Sequence, residues 1–167
     1  KNRLQCLYEL KFLGFQTGCG FMVGSPWQTS DTIASDLELI YDLKPQMARI
    51  GPFLPHHDTP FRSMPPGDLR LTLYLLSIIR IMSPQVLLPA TTALGTLQKG
   101  GRELGILHGA NVVMPNLSPV SVRQKYMLYD NKLSSGTEAA EGLLQLQNNF
   151  AAIGYEISFT RGDSPMK

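Results

Sequence analysis

Four times along this chain an apolar run closes in a phrase rich in Gly, Pro, Thr and Asn, then gives way to a helix-like segment: Gly20 to Thr29, Ile50 to Pro60, Leu88 to Thr96 and Ala110 to Pro119. Short apolar runs alternating with longer amphipathic stretches read as consecutive βα units, which build a parallel sheet. The strands this predicts are Thr17 to Val23, Met47 to Phe53, Val86 to Ala90 and Asn111 to Met114. They should lie side by side in sequence order, with right-handed crossovers placing helices on the outer face. A helix-spaced set at Leu4, Leu7 and Tyr8 stops at Gly14. Ser30 or Asp31 can cap a second helix with the stripe Ile33, Leu37, Ile40 and Tyr41, ended by Pro45. Leu69 to Ser83 reads as a strongly apolar helix stopped by Pro84, and about Arg102 to His108 as a short one. Ser118 with Pro119 starts a helix running to about Tyr129, and Thr137 to Ile153 reads as another, closed by Gly154. Leu54 to Asp68, with four prolines, is a long loop of the kind that carries function. A loop rich in small residues should follow the third strand.

Length changes the picture. The chain has 167 residues, while a complete eight-unit barrel takes about 250. The expected fold is therefore α/β: the C-terminal half of a (βα)8 TIM-type barrel, four parallel strands with outer helices plus a C-terminal helical tail. Residues 1–130 would form the half-barrel and 131–167 the tail. Four strands alone would leave unpaired parallel edges, which a missing half would cover. The formal net charge of +2 is spread along the chain, and no basic block calls for nucleic acid. The apolar runs near Leu73 to Met82 and Leu143 to Ile153 are too short or too interrupted to span a bilayer. Cys6 and Cys19 are expected as buried free thiols, and so few thiols fit a cytoplasmic protein.

In a βα barrel the loops at the strand C-terminal ends form one mouth, where chemistry sits. Gly20, Met22 and Gly24 alternate, so they face one side of their strand. A methionine flanked by glycines makes a flat polarizable wall suited to a purine or a thioether; the alternative is a packed strand that needs small residues. Thr91 and Thr92 follow a strand end, where two hydroxyls and free backbone N–H groups either hold an anion or cap a helix. Tyr126 and Tyr129, three apart, would share a helix face and either reach back to the cavity beside Met114 or sit at the rim. His56, His57 and Asp58 are adjacent residues, which rarely chelate one ion together, so no metal ligands are expected. Gly100 and Gly101 lack the spacing of a phosphate loop, and Arg161-Gly162-Asp163 reads as a chance motif in a tail. No nucleophile–base pair is present, so no catalytic side chain is named.

The phrases Gly20 to Thr29, Ile50 to Pro60, Pro89 to Thr96, Gly100 to Glu103 and Gly109 to Pro119 resemble the C-terminal half of HydE. That family is the radical S-adenosylmethionine maturase of iron-iron hydrogenase, a relative of biotin synthase and methylornithine synthase. PATTALGT followed by GGRE and GANVVMPN carries most of the specificity, and the phrases span nearly the whole chain. The resemblance implies a (βα)8 barrel whose 4Fe-4S cluster, held by a Cys-x3-Cys-x2-Cys loop in the family's N-terminal half, cleaves S-adenosylmethionine to a 5′-deoxyadenosyl radical. That radical acts on a small substrate in H-cluster assembly, alongside other hydrogenase maturation proteins. By position Arg3, Met22, Met47 and Leu54 match the cofactor site, and Thr91, Thr92, Met114, Tyr126 and Tyr129 the substrate cavity. The three-cysteine loop is absent from this sequence, so the chain alone is expected to hold no cluster and to be inactive. Two departures stand out. Ser25, Pro26 and Trp27 replace the family's frequent GLPGQT, and Ser134, Gly142 and Gln145 stand where many relatives carry a second cysteine cluster. The rival readings are a sister radical enzyme, methylornithine synthase or biotin synthase, and a non-catalytic small-ligand-binding half-barrel.

Overall fold

In the computed structural model, residues 2–116, 118–123, 125, 127–131 and 139–166 are described. Helix α1, Asn2–Phe12, leads through a turn at Gly14 into two short strand pieces, β1 (Gly18–Cys19) and β2 (Met22–Val23). Helix α2, Ser30–Leu43, returns the chain to β3 (Met47–Ala48) and β4 (Gly51–Pro52). β1 pairs with β3 and β2 with β4, both parallel, Gly18 opposite Met47 and Met22 opposite Gly51. The expected third and fourth strands are present as single parallel bridges, Met47 to Leu87 and Pro89 to Val112. These contacts set the four extended segments side by side in sequence order, as the pattern predicted. The reason the last pair is reduced to a bridge is chemical. Pro89 has no N–H to donate, and the Asn111 side-chain oxygen, rather than a backbone carbonyl, accepts from the Leu88 N–H at 2.8 Å. The result is mixed α/β, with parallel strands and covering helices.

Burial alternates along the strands. Val23, Ala48, Ile50, Val86 and Leu88 are fully buried against Ile40, Leu73, Leu76 and Ile79 of the helices. Gly18, Gly20, Met22 and Arg49 of the same segments are exposed. One sheet face thus makes the core and the other stays open.

Helix ends follow their caps, with four corrections to the sequence reading. Thr29, not Ser30 or Asp31, caps α2, because Thr29 and Thr32 exchange side-chain and backbone hydrogen bonds in a capping box. The stripe of α2 ends on buried Leu43, three residues after Ile40, and leaves Tyr41 at the surface. Helix α3, Leu69–Met82, starts at Asp68, whose carboxylate accepts from the Leu71 N–H. The small-residue phrase expected as a loop is helix α4, Thr92–Leu97, which buries Ala93 and Leu94. It packs on α5, Gly101–Leu107, through glycines: a Cβ at Gly101 would lie 2.1 Å from the Leu94 carbonyl oxygen. The helix begun at Pro119 is a short α6, Val120–Arg123, and residues 127–131 turn back toward the loop after β4, where the Asp130 N–H donates to the Pro55 carbonyl. Tyr129 therefore stands in a bend beyond the helix and shares no helix face with position 126.

Among the described residues of the last part of the chain, helix is confined to α7, Ala139–Ala151. Its Leu146 and Phe150 pack with Ala90, Ile106 and Ala110. Residues 155–166 then run without regular structure beneath the strands. They roof a groove of about 490 Å³ whose floor includes Met47, Leu87 and Val112, and the Ser164 N–H reaches the Gln16 side chain just before β1. Among the described residues no helix is long and apolar enough to cross a membrane.

Candidate functional site

The C-terminal ends of the parallel segments carry the unusual side chains on the open sheet face. β2 and β4 are followed by Gly24 and Phe53, and the loops after them meet: a Cβ on Gly24 would lie 2.6 Å from the Gly67 Cα. Gly20 answers the question its spacing raised. The space beside it is filled by the neighbouring strand, since a Cβ there would lie 1.8 Å from the Arg49 carbonyl oxygen. That glycine serves close strand packing. Met22, on the same face, remains 57% exposed. Met47 shares the face but lies four positions from the Met22 partner Gly51 along its strand, about 13 Å toward the opposite end, in the groove under the C-terminal segment. Leu54 is half-buried directly after β4.

Arg3 is placed by its helix. The ammonium of Lys11, in the last turn of α1, donates to the Leu43 and Lys44 carbonyls at the end of α2, which precedes the start of β3. Arg3 is eight residues back, about 12 Å along the helix toward the mouth, and it is exposed.

Thr91 is the most constrained residue of the expected substrate set. It stands at the N-cap position of α4 but makes no capping side-chain bond. Its hydroxyl is buried with no hydrogen-bond partner among the described residues. Gly51 faces it so closely that a Cβ there would lie 2.6 Å from the Thr91 Oγ1. A buried hydroxyl without a partner costs about 1–3 kcal/mol, and this one, its oxygen closed off from solvent, is held by packing against Gly51. Thr92, half-buried, opens α4, and its carbonyl accepts from the Thr96 hydroxyl at 3.2 Å. Thr96 also hydrogen-bonds the Tyr129 phenol. Burial raises that phenol's pKa, with the Thr96 bond and the Arg49 charge pulling it back; it is a neutral hydrogen-bonding group at physiological pH. Met114 is 43% exposed after the fourth segment. Tyr126 lies outside the described residues.

Thr91, Tyr129 and Arg49 therefore gather over the middle of the β3–β4 strand. Arg49 is missing from the sequence reading. Its signal was a lone charge in an apolar strand, on the same alternate face as Met47 and Gly51. An exposed guanidinium and a neutral phenol are groups chemically suited to an anionic or carboxylate-bearing small molecule.

The fit to the groups implied by the resemblance divides. Exposed Arg3 suits the carboxylate of S-adenosylmethionine, and exposed Met22 with Leu54 suits its apolar and ring portions. A 4Fe-4S cluster does not fit this chain. Cys6 is exposed on α1, whereas Cys19 is half-buried and packed toward the helix layer. Two thiols on different elements do not supply the thiolate set such a cluster needs.

No protein-family model matches the chain. It is 48% identical over 133 residues to the [FeFe] hydrogenase maturase subunit HydE of Thermotoga maritima, a match that takes in 80% of this chain and 38% of that protein. The chain thus spans about two fifths of that relative's length and is similar to the corresponding part of HydE.

Proposed function

We propose that this chain is the C-terminal half of a HydE-type radical S-adenosylmethionine enzyme and forms one wall of its (βα)8 barrel. The observation that carries the proposal is the 48% identity to a hydrogenase maturase. The parallel order of the segments and the polar cluster at their C-terminal ends support it. S-adenosylmethionine, cleaved at a cluster held elsewhere in the full-length protein, supplies a 5′-deoxyadenosyl radical to a small substrate. The residues of this chain bind and orient. Arg3 pairs with the cofactor carboxylate, Met22 and Leu54 wall its apolar portion, and Met47 lines the deeper end of the same face. Thr91, Thr92, Arg49 and Tyr129 hold the anionic end of the substrate, and Tyr126 joins this set by the family resemblance. Met114 and Met22 keep water from the reacting centre. The full-length enzyme works in the cytoplasm with the other hydrogenase maturation proteins during H-cluster assembly.

Isothermal titration of the full-length, cluster-loaded protein with S-adenosylmethionine tests the cofactor half. Arg3→Ala should weaken binding about tenfold or more through loss of a charge-assisted pair, while Tyr129→Phe should leave it unchanged. Equal affinity in wild type and Arg3→Ala would remove Arg3 from the site.

A further inference from the structure

The loop after β4 and the turn after α6 meet in a cluster that the proposed function leaves unused. Ligand atoms of His56, His57 and Asp130 all lie within 4.8 Å of one another. His57 Nδ1 is 2.6 Å from Asp130 Oδ1, and the two imidazoles stack with centroids 4.4 Å apart. We propose that these three side chains bind a divalent transition-metal ion of the zinc type, which ties the loop after β4 to the segment carrying Tyr129.

The sequence argument against adjacent histidines rested on the lack of a further ligand. Folding supplies one from 73 residues away. The approach is also fixed by the backbone, because the Asp130 N–H donates to the Pro55 carbonyl at 3.2 Å. Two imidazoles and a carboxylate are the donor set of borderline divalent ions, and three protein ligands plus water complete a tetrahedral zinc shell. With Nδ1 of His57 directed at the ion, its Nε2 faces the Asp58 carboxylate at 3.3 Å. An outer carboxylate that accepts from a ligating histidine fixes ring and tautomer in known metal sites. The ion takes the place of the proton between His57 and Asp130, so binding releases that proton and weakens in acid. His56 also accepts from the Asp58 N–H through its Nδ1 lone pair; that bond yields when the same lone pair takes the ion.

The test is titration of the metal-free 167-residue chain with zinc by calorimetry and with cobalt by visible absorption. The expected result is one ion per chain, with the ligand-field bands of low-coordinate cobalt. His57→Gln and Asp130→Asn should each lower zinc affinity about tenfold or more. His108→Gln, which changes the chain's other histidine, should not. Zinc should also raise the melting temperature of wild type but not of the two loop variants, whose unliganded melting temperatures should match wild type because the side chains lie at the surface. Absence of binding, or binding unchanged in His57→Gln and Asp130→Asn, overturns the proposal. Neither outcome bears on the reading of the barrel mouth, which uses none of these side chains.

Discussion

Single residues on the open sheet face show how backbone approach and chemistry divide the work. Gly20 gives its space to the Arg49 carbonyl, whereas Gly51 gives its space to the Thr91 hydroxyl. Gly20→Ala should therefore destabilise the chain well beyond Gly14→Ala. Gly14 has open space around it but a φ of +84°, and an L-residue in that region costs about 1–2 kcal/mol. Comparison of urea unfolding midpoints decides this; equal losses would mean that the strands can separate without cost. The cysteines give a second prediction. Burial and the nearby Asp36 raise the Cys19 pKa, so little of its reactive thiolate is present near neutral pH, and the group is half-covered as well. Cys6 is exposed. Under native conditions iodoacetamide should label Cys6 rapidly and Cys19 slowly, with both labelled on denaturation. Peptide mass spectrometry showing Cys19 modified first would contradict the placement of Cys19 against the helix layer.

At the scale of elements, the legible features were those written in local chemistry. Gly14, Pro45, Pro84 and Gly154 marked helix ends, and the apolar runs marked where the extended segments lie, though these form two-residue strand pieces and single bridges rather than the continuous strands expected. Helix α4 was missed because Thr92, Gly95 and Thr96 weaken the local helix preference that Ala93 and Leu94 bring. It is held by Ala93 and Leu94 reaching the core and by the glycine contact with α5. Within the expected Pro119-to-Tyr129 helix the described helix is Val120–Arg123, and residues 127–131 make a turn in which Asp130 meets the loop at Pro55, a tertiary contact which no local pattern announces. For the same reason Asp130 could not be joined to His57 from the sequence, while Thr91 could be picked out but not its free, buried hydroxyl. Capping is testable at this scale. Thr29→Ala removes the arm of the α2 capping box in which the Thr29 hydroxyl accepts from the Thr32 N–H, and Asp68→Ala removes the α3 cap. Each should cost about 1 kcal/mol, read as a shift in thermal midpoint. A cost near zero for Thr29→Ala would return the start of α2 to Ser30 or Asp31.

At the scale of the molecule, the two ends of the sheet have separate tasks. The C-terminal segment lies beneath the strands, anchored by Leu146 and Phe150 and tied at Ser164 to Gln16. Arg161 and Asp163 within it form an ion pair with each other, so the Arg-Gly-Asp phrase is closed on itself. The polar cluster of Thr91, Tyr129 and Arg49 and the exposed Met22 lie toward the other end. That division supports the central claim, that this chain brings one wall of a radical enzyme's cofactor and substrate site. The most direct measurement replaces the corresponding segment of Thermotoga maritima HydE with this chain. The chimera is reconstituted anaerobically, and 5′-deoxyadenosine is followed after addition of dithionite and S-adenosylmethionine. The account predicts a cluster-loaded chimera that forms 5′-deoxyadenosine at a rate comparable to the parent, and loses most of that turnover with Arg3→Ala. A folded chimera with a normal cluster that binds no S-adenosylmethionine and forms no 5′-deoxyadenosine would contradict it.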